Sequence, residues 1–461
     1  MEGRGLSSRL TPPVARDRRW GNLTTPSSVQ KLQTALQVKA KEAPEYRFYL
    51  LYDKVYRSDI LEFAYCCCKA HGGAAGVDGQ TFEDIERYGE ERWLGELAER
   101  LRQKDYRPEA VKRVWIPKPN GQSRPLGLPT ITDRVVQTAL MRVIEPIFEA
   151  DLPPEQYGYR PERGAHGAIR AVHRLLNIGH TEVIDADWSD YFGSLPHAEL
   201  MQCLARRIVD RHVLHWIKLG LTAPVEDEDG KGHRKRSNPN RKLKRGSPQG
   251  SPISPLLSNV YMRRFLLGWE KLGFHRRWSA HIVNYADDFV ICCKAGAEDA
   301  MEAMRGMMQR LKLTVNEAKT QRCRRPQERF DFLGYTFGRC HSRESGRAYL
   351  GTRPAKKRVR RMVDKIRQLT DARTTWLEAE VIVERLNQML GGWANYFCLG
   401  PVSPTYRAID SYTTQRLRRW LCKKHKVQGK GKTRFPNQYL YDELGLINLP
   451  LRTRDLPWAK A

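Results

Sequence analysis

The stretch that decides the fold is His281-Ile-Val-Asn-Tyr-Ala-Asp-Asp-Phe-Val-Ile-Cys-Cys293, in which apolar, β-branched and aromatic residues surround two adjacent acids, Asp287 and Asp288. This pattern predicts a strand, a tight turn and a second strand. Two carboxylates at a hairpin tip repel each other, and a divalent cation such as Mg²⁺, which prefers oxygen ligands, would relieve that repulsion. The alternative is an ordinary solvated turn, because Asp is common in turns. The rest of the chain must decide between the two interpretations.

A second acidic segment, residues 181–192, also alternates like a strand. Asp185 and Asp187 point to the same face of that strand, because side chains alternate with a period of two. If Asp187 meets Asp287 and Asp288 in the fold, these acids can hold two metal ions about 3.5–4 Å apart, the arrangement used for in-line phosphoryl transfer. Asp187 and Asp287 are the first choices as direct ligands, whereas Asp288 and Asp185 could instead have an indirect or structural role.

Composition points to a nucleic-acid partner. The 461 residues, which predict two to four modules, include 80 basic and 52 acidic side chains, a net charge of +28. An excess of this size indicates binding to a polyanion. No run of about 18 apolar residues predicts a membrane span, and no apolar segment near the start predicts a secretory signal. The ten cysteines lack the spacing of zinc sites, so we expect buried thiols in a reducing compartment.

The remaining pattern is mainly helical. Residues 1–28 are expected to form a flexible basic arm, for which an organellar transit peptide is the weaker alternative. The mixed-charge segment 226–245 is expected to be an exposed loop. The glycine-rich segment 71–79 lacks the Lys-Ser/Thr ending of a phosphate-binding loop and is interpreted as a connector. Helices are predicted at residues 28–38, 45–71, 81–104, 133–150, 164–176 and 298–311, and in the region after residue 355.

Two further segments carry candidate phosphate-binding groups. The segment 111–129 predicts a hairpin with its turn at Pro119-Asn-Gly, so Lys118 and Arg124 on opposite arms could converge on one phosphate group. The segment Tyr157-Gly-Tyr-Arg-Pro-Glu-Arg-Gly-Ala-His166 is expected to be a loop with two tyrosines and two arginines, Arg160 and Arg163, which suits stacking on bases and contact with phosphates. A solvated hairpin tip is the alternative for the first segment.

Taken together, the motifs resemble those of reverse transcriptases, and more specifically those of bacterial group II intron-encoded reverse transcriptases, also called maturases. Six ordered motifs beside the Asp-Asp box carry this resemblance between Lys118 and about Leu449. In chain order, with the Asp-Asp box in its place, they are Ile116-Pro-Lys with Arg124-Pro-Leu-Gly, Tyr157-Gly-Tyr-Arg-Pro, Asp187 with Tyr191-Phe192, Pro248-Gln-Gly-Ser-Pro-Ile-Ser-Pro, Tyr285-Ala-Asp-Asp, Asn316-Glu-Ala-Lys-Thr and Phe332-Leu-Gly-Tyr.

The resemblance implies specific roles for residues of these motifs. Phe192 would exclude a ribose 2′-hydroxyl and so select deoxynucleotides, and Gln249 would lie beside the incoming nucleotide and the template. The implied catalytic and metal-binding residues are Asp187, Asp287 and Asp288. The implied nucleotide-binding residues are Lys118, Arg124, Phe192, Gln249 and Lys319, and the implied primer grip is Phe332, Leu333, Gly334 and Tyr335. The RNA-binding residues, chosen from basic clusters in the predicted thumb, are Lys356, Lys357, Arg358, Arg418 and Arg419.

The fold implied is α+β, a right-hand polymerase with fingers, a ferredoxin-like palm and a helical thumb. The expected division is a basic N-terminal extension (1–60), fingers (61–176), palm with the active site (177–345), a helical thumb or maturase domain (346–425) and a basic C-terminal tail (426–461). The implied cofactor is a pair of Mg²⁺ ions. The implied partners are group II intron RNA, a DNA target and primer, and deoxynucleoside triphosphates, with no membrane, in the bacterial cytoplasm.

The chain also departs from the family pattern. Many relatives carry an additional nuclease domain with paired cysteines and histidines, and we expect this chain to lack one, so that it would use an existing 3′ end as primer. Trp188-Ser-Asp stands where the family usually has Ile-Lys-Gly. The resemblance therefore does not assign the substrate contacts near this segment. Two alternatives to an active intron polymerase are a splicing-only maturase with a vestigial polymerase and a domesticated reverse transcriptase in defence or repair.

Overall fold

The computed structural model describes residues 23–117, 121, 123–228, 233–324, 328–341, 346–454 and 456. The chain divides into two units, each assembled from separated segments. Unit 1 comprises Met1–Gly164, Trp188–Trp269 and Arg305–Val315, and unit 2 comprises Ala165–Asp187, Glu270–Met304 and Asn316–Ala461. The described helices and strands confirm the predicted α+β class.

The described residues form seventeen α-helices, numbered in chain order, in addition to short 3₁₀ turns at Ala372–Thr374 and Pro450–Thr453 and a π-helical turn at Tyr439–Glu443. The α-helices are α1 (Ser27–Glu42), α2 (Tyr52–Val55), α3 (Ser58–His71), α4 (Phe82–Tyr88), α5 (Glu90–Arg102), α6 (Ile131–Glu149), α7 (Ala165–Asn177), α8 (Tyr191–Ser194), α9 (His197–Ala205), α10 (Arg211–Leu221), α11 (Pro239–Leu243), α12 (Ser254–Lys271), α13 (Phe274–Arg277), α14 (Ala297–Arg310), α15 (Lys356–Leu369), α16 (Ala379–Tyr396) and α17 (Ser403–Lys424). None of them is long and apolar enough to cross a membrane.

Eleven β-strands in the described ranges form three sheets. The strands are β1 (Val111–Pro117), β2 (Ser123–Leu128), β3 (Glu182–Asp187), β4 (Val225–Glu228), β5 (Arg234–Ser237), β6 (His281–Tyr285), β7 (Asp288–Cys293), β8 (Gln321–Arg324), β9 (Phe330–Phe332), β10 (Tyr335–His341) and β11 (Ala348–Pro354). The sheet orders are β2-β1-β4-β5, β6-β7-β3-β8 and β11-β10-β9.

The four-stranded sheet of unit 2 has the order and connectivity of a ferredoxin-like βαββαβ fold. Its strands follow one another as β6-β7-β3-β8 and pair in antiparallel fashion throughout. Helix α12 precedes β6 in the chain, and α14 separates β7 from β8. The five residues 289–293 of β7 are consecutively buried, which is the pattern of a central strand covered on both faces. The predicted palm topology is therefore present.

Helix α6 forms the core of unit 1, and it contains a proline. Fifteen of its nineteen residues are buried, and each large apolar side chain buried in this way stabilises the fold by about 1.5–3 kcal/mol. Pro146 has no N–H to donate to the carbonyl of Arg142 one turn earlier. The side-chain amide of Gln33 in α1 donates to that carbonyl instead, at 3.0 Å, so a neighbouring helix replaces the missing hydrogen bond.

A continuous apolar cluster joins the three long helices of unit 2 that follow the last strand. Ile366 from α15, Leu386 from α16 and Leu417 from α17 are fully buried in it, and the cluster extends to Leu440 and Leu449 beyond α17. The segment after residue 425 therefore packs against the helices, because its leucines cover them. This arrangement could not be inferred from helical periodicity, since residues 425–449 have none.

The structure corrects three expectations from the sequence. Within the segment 226–245, β4 pairs with β5 and, in parallel, with β1, and α11 follows. The assignment of this segment as a loop is therefore wrong, although β5 is mostly exposed, as expected. The single helix expected at 81–104 is broken at Gly89, whose φ of 103° is a conformation that favours glycine. The helix expected at 45–71 begins only at Tyr52 and is interrupted before Ser58.

Asp133 in the first turn of α6 is a buried acid. It is 3% exposed, and its carboxylate accepts hydrogen bonds from the Tyr106 hydroxyl and, at 3.1 Å, from the Glu109 backbone N–H. Burial raises the pKa of Asp133 to about 6, although these hydrogen bonds oppose the shift. The folded state therefore binds this proton more tightly than the unfolded chain does, where a free Asp titrates near 3.9.

The first prediction concerns pH and stability. Because the folded-state pKa is raised, the stabilising contribution of protonated Asp133 is present at low pH and is lost as the pH rises through about 6. We expect the unfolding free energy of wild type relative to Asp133→Asn to fall by about 2 kcal/mol between about pH 4.5 and pH 7.5. Urea unfolding of both proteins measures this difference, and a difference that is constant with pH would contradict the assignment.

Candidate active site

The turn between β6 and β7 carries the two adjacent acids. Ala286 and Asp287 form its two-residue loop, and Ala286 has a φ of 57°, which is unfavourable for a residue with a Cβ atom. The fully buried side chain of Asn284 donates hydrogen bonds to the carbonyls of Ala286, at 2.9 Å, and Asp288, at 3.3 Å. Asn284 therefore ties both ends of the turn together and holds Asp287 at its tip.

Strand register brings the third acid to the same place. Asp187, the last residue of β3, is paired with Asp288, the first residue of β7, and directly opposed side chains in an antiparallel pair have Cβ atoms about 4.5–5.5 Å apart. The Asp288 side chain keeps some surface exposed to solvent, but nearby protein atoms displace part of its hydration shell. Loss of hydration, together with the charges of Asp287, Asp187 and Asp185, raises the pKa of Asp288 to about 7, and Arg358 opposes the rise.

A lysine already neutralises one of these acids. The Lys319 ammonium donates to the Asp187 carboxylate at 2.7 Å, and this hydrogen bond raises the pKa of Lys319. The backbone N–H of Asn316 donates to the Asp187 carbonyl at 2.8 Å, so the segment that carries Lys319 is anchored to the end of β3. Lys319, expected to bind nucleotide, lies in direct contact with a predicted metal ligand.

The acids fit a divalent cation by charge and by donor type. Three of them are close enough to Asp288 to raise its pKa, and crowded carboxylate oxygens are the ligands that Mg²⁺ takes. Within the described residues, no three His, Cys, Asp or Glu side chains are arranged around one point as metal ligands. Asp187 instead directs its carboxylate to Lys319, so binding of a cation at Asp187 requires that the ammonium be displaced or shared.

The predicted primer grip is a second hairpin tip in unit 2. Leu333 and Gly334 form the two-residue loop between β9 and β10, and both have positive φ, at 50° and 80°. The Tyr396 hydroxyl donates to the Leu333 carbonyl at 2.8 Å, and the Ala355 N–H donates to the Gly334 carbonyl at 2.9 Å. Tyr335, fully buried, donates to the Tyr396 carbonyl at 2.6 Å. The tip is thus fixed on α16.

The five basic residues predicted to bind RNA have different environments. Lys356, Lys357 and Arg358 are exposed in the first turn of α15, and Arg419 is exposed on α17. Arg418, by contrast, is 7% exposed and donates to the Phe435 carbonyl at 2.9 Å and to the Asn437 side chain at 2.5 Å. Its guanidinium fastens the segment after α17 to that helix.

The predicted nucleotide-binding residues of unit 1 form a connected polar row. The Arg124 guanidinium donates to the Gln249 side-chain oxygen at 2.7 Å, and the Gln249 amide donates to Asp190 at 3.4 Å. Two glycines permit this approach, because the Gly127 N–H donates to the Gln249 carbonyl at 2.7 Å and a Cβ at Gly250 would lie 2.2 Å from the Gly127 oxygen. Lys118 lies outside the described residues.

Phe192 lies in the short helix α8 and is 7% exposed. Its ring makes an edge contact with Tyr159 at a centroid distance of 6.4 Å, and its carbonyl accepts from the Ser247 N–H at 2.8 Å. Its role as a ribose filter remains a prediction. Arg160 of the neighbouring motif is 4% exposed and bonded to Glu149 and to backbone carbonyls, so the expectation that it contacts phosphates or bases is wrong.

Sequence reasoning missed two groups of the site. Asn284 is a polar residue at a buried position of an apolar strand, which by itself signals a structural or functional demand. Asp190 falls in Trp188-Ser-Asp, the segment that departs from the family pattern, and the structure shows that it accepts a hydrogen bond from Gln249. The departure therefore adds an acid beside the predicted nucleotide-binding row.

The ion pair at Asp187 generates the second prediction. Replacing Lys319 with Met removes the competing ammonium but keeps a similar side-chain length. We expect Mg²⁺ to bind the nucleotide-free variant up to about fivefold more tightly, since an exposed ion pair is worth about 1 kcal/mol or less. Titration calorimetry with Mg²⁺ measures the change. Lys312→Met is the control, because Lys312 pairs with Glu199; equal effects of both variants would contradict the prediction.

Comparison with protein families gives two matches in separate parts of the chain. The family model described as reverse transcriptase (RNA-dependent DNA polymerase) matches residues 116–337. The model described as the group II intron, maturase-specific domain matches residues 359–439. The first range contains all the acids described above, and the second covers most of the helices α15 to α17.

Curated relatives agree with these matches. Protein YkfC of Escherichia coli (strain K12) is 32% identical over 367 residues, which cover 71% of this chain and 93% of that protein. Group II intron-encoded protein LtrA of Lactococcus lactis subsp. cremoris is 30% identical over 216 residues, 47% of this chain but only 34% of that protein. Among solved structures, a telomerase from Candida albicans in complex with an RNA fragment aligns with a TM-score of 0.41 and 12% identity, covering 78% of this chain and 68% of that one.

Proposed function

Because the chain belongs to the family of group II intron-encoded reverse transcriptases and maturases, we propose that it is an RNA-directed DNA polymerase. It copies intron RNA into DNA during insertion of the intron at a DNA target, and it also binds the intron RNA and promotes its splicing. The bacterial cytoplasm is the proposed location.

The observation that carries the polymerase proposal is the register of β3 against β7, which sets Asp187 opposite Asp288 and next to the tip occupied by Asp287. Loss of hydration and the charges of Asp287, Asp187 and Asp185 together raise the pKa of Asp288 to about 7, so additional positive charge beside this carboxyl would be favourable. Asp187, Asp287 and Asp288 would hold two Mg²⁺ ions. Bound there, these ions would activate the primer 3′-hydroxyl and stabilise the leaving pyrophosphate.

The other predicted residues would position the substrates. Arg124 and Lys118 would neutralise triphosphate charge, and Gln249, held by Arg124 at 2.7 Å, would present its amide to the nucleotide and template. Phe192, which is 7% exposed and in edge contact with Tyr159, would exclude a 2′-hydroxyl. The rigid tip of Leu333 and Gly334 would grip the primer strand, and Lys319 would exchange its contact with Asp187 for one with the nucleotide.

The maturase proposal rests on the helices that follow the last strand. Lys356, Lys357, Arg358 and Arg419 present their charges on exposed positions of α15 and α17. Basic side chains at such positions would bind RNA phosphates and release counterions. The division into extension, fingers, palm, thumb and C-terminal tail is proposed because the family resemblance implies it. Within that division, residues 346–425 would be the RNA-binding thumb.

The third prediction tests the polymerase. Asp287→Ala removes a proposed metal ligand at the partly exposed tip of the turn. We expect primer extension on an RNA template to fall by about 10³-fold or more, since several kcal/mol of transition-state stabilisation depend on the ions. RNA binding should be unchanged. Measurement is by single-turnover extension with Mg²⁺.

Asp299→Ala is the matched control, because Asp299 is an exposed acid in the first turn of α14. Full extension by Asp287→Ala would refute the metal assignment. Splicing of the intron RNA by wild type and Asp287→Ala alike, with no extension by either, would favour the splicing-only alternative.

The fourth prediction tests the RNA surface. Lys356→Ala and Lys357→Ala should each reduce the slope of log affinity against log salt concentration by about one, measured with a structured RNA transcript. Arg418→Ala provides the contrast: because Arg418 is buried and hydrogen-bonded, its loss should lower the unfolding temperature instead. An RNA affinity insensitive to salt would contradict the proposed surface.

A further inference from the structure

Arg358, in the first turn of α15, lies across the tip of the predicted primer grip. A Cβ atom at Gly334 would be 3.1 Å from the Arg358 Nε and 3.4 Å from its Cγ, so the absence of a side chain at Gly334 makes room for the arginine. The Ala355 N–H donates to the Gly334 carbonyl at 2.9 Å, and the Arg358 N–H donates to the Ala355 carbonyl at 2.8 Å. The start of α15 is therefore fastened to the tip.

The charge of Arg358 also acts on the acids of the β6–β7 turn. Loss of hydration raises the pKa of Asp288 and that of Tyr396, and the Arg358 guanidinium opposes both shifts. Tyr396 is the residue whose hydroxyl donates to the Leu333 carbonyl at the tip. Because salt screens exposed charges separated by more than about 10 Å, the guanidinium lies near both the primer grip and Asp288. All these residues belong to unit 2.

The Arg358 guanidinium is available to bind a ligand. Arg358 is exposed, and no acid forms an ion pair with it within the part of the chain that the structure describes. Lys319, by contrast, already pairs with Asp187 at 2.7 Å. A guanidinium presents five donors in a fixed plane and forms paired hydrogen bonds with phosphate oxygens. Arg358 therefore suits a phosphate group that lies beside both the grip and the acids.

We propose that Arg358 binds one backbone phosphate of the primer strand, near its 3′ end, while that strand is being extended. A strand that is held at the Leu333-Gly334 tip and has its 3′-hydroxyl at the acids must pass close to this guanidinium, and it carries a phosphate at every linkage. The inference rests on the proposed polymerase function and names the strand that Arg358 contacts during copying. Lys356 and Lys357 remain proposed contacts of the intron RNA.

Two other roles fit these surroundings less well. A residue that only neutralised the acids would be expected to form an ion pair with one of them, as Lys319 does with Asp187. A nucleoside triphosphate is the other anion expected near the acids. The backbone and the glycine that hold Arg358, however, belong to the tip assigned to the primer, which favours the primer strand.

The test uses the full-length protein, an RNA template and a set of DNA primers that each carry one uncharged methylphosphonate in place of a phosphate near the 3′ end. Binding is measured without Mg²⁺ or nucleotide, so the result does not depend on catalysis. For wild type, we expect one linkage at which the methylphosphonate weakens binding by about tenfold, as for loss of a charged hydrogen bond. Arg358→Ala should weaken binding of the unmodified primer by about the same factor, and the methylphosphonate at that linkage should then have no further effect.

Arg360→Ala is the matched control. Arg360 is an exposed arginine two positions along α15, and residues i and i+2 of a helix do not lie on the same side. This variant should keep the full methylphosphonate effect. Arg358→Lys should restore part of the effect, because lysine keeps the charge but cannot form the paired hydrogen bonds of a guanidinium.

Two outcomes would overturn the primer contact. One is a loss from Arg358→Ala that adds to the methylphosphonate loss at every linkage. The other is a raised KM for the nucleotide in Arg358→Ala with an unchanged linkage effect, which would assign Arg358 to the triphosphate. Primer extension by wild type tests the polymerase separately. Extension together with additive binding losses refutes the primer contact alone, whereas absence of extension by wild type refutes the polymerase.

Discussion

The arrangement of unit 2 depends on negative charges being held together against their repulsion. Asp187 and Asp288 are paired across two strands, Asp287 is adjacent, and Asp185 is close enough to affect the pKa of Asp288. Repulsion favours separation of the strands, but a shift of one residue would exchange the two covered faces of β7 and disrupt the packing of its buried side chains. Burial of residues 289–293 therefore fixes the register, and the register in turn fixes the acids. The core provides the free energy that keeps the acids close enough to bind cations.

Local sequence patterns predicted the parts of this arrangement that depend on neighbouring residues. The two hairpin strands and the acidic strand alternate or run apolar over short lengths, so their type and the common face of Asp185 and Asp187 were predictable. The contact of Lys319 with Asp187 joins residues 132 positions apart, and no local pattern contains it. The β4–β5 hairpin was missed because its charged residues read as a solvated loop, although Arg113 on β1 pairs with Asp227 there at 3.1 Å.

Arginine side chains show why the net charge of the chain alone is a poor predictor of where its RNA-binding surface lies. Arg160, Arg207 and Arg418 are each less than 9% exposed. Arg160 and Arg207 each donate several hydrogen bonds to backbone carbonyls, and Arg418 donates one to the Phe435 carbonyl and one to the Asn437 side chain. Guanidinium groups suit this task because they carry five donors in a fixed plane. Part of the excess positive charge thus stabilises irregular backbone. The lysines at the start of α15 are a better guide to the RNA surface, because they are exposed.

The two hairpin tips of unit 2 share a physical feature that connects backbone strain to function. Each places a residue with a Cβ atom at positive φ, Ala286 in one and Leu333 in the other, at a cost of about 1–2 kcal/mol. Such strain persists only where surrounding groups over-determine the backbone. Asn284 does so at the first tip, and the Tyr396 hydroxyl does so at the second. Asn284 is not one of the acids and Tyr396 is not part of the primer grip. The position of the first tip nevertheless depends on Asn284, and that of the second depends on Tyr396. Residues that hold a strained turn are therefore as much part of this site as the residues the turn presents.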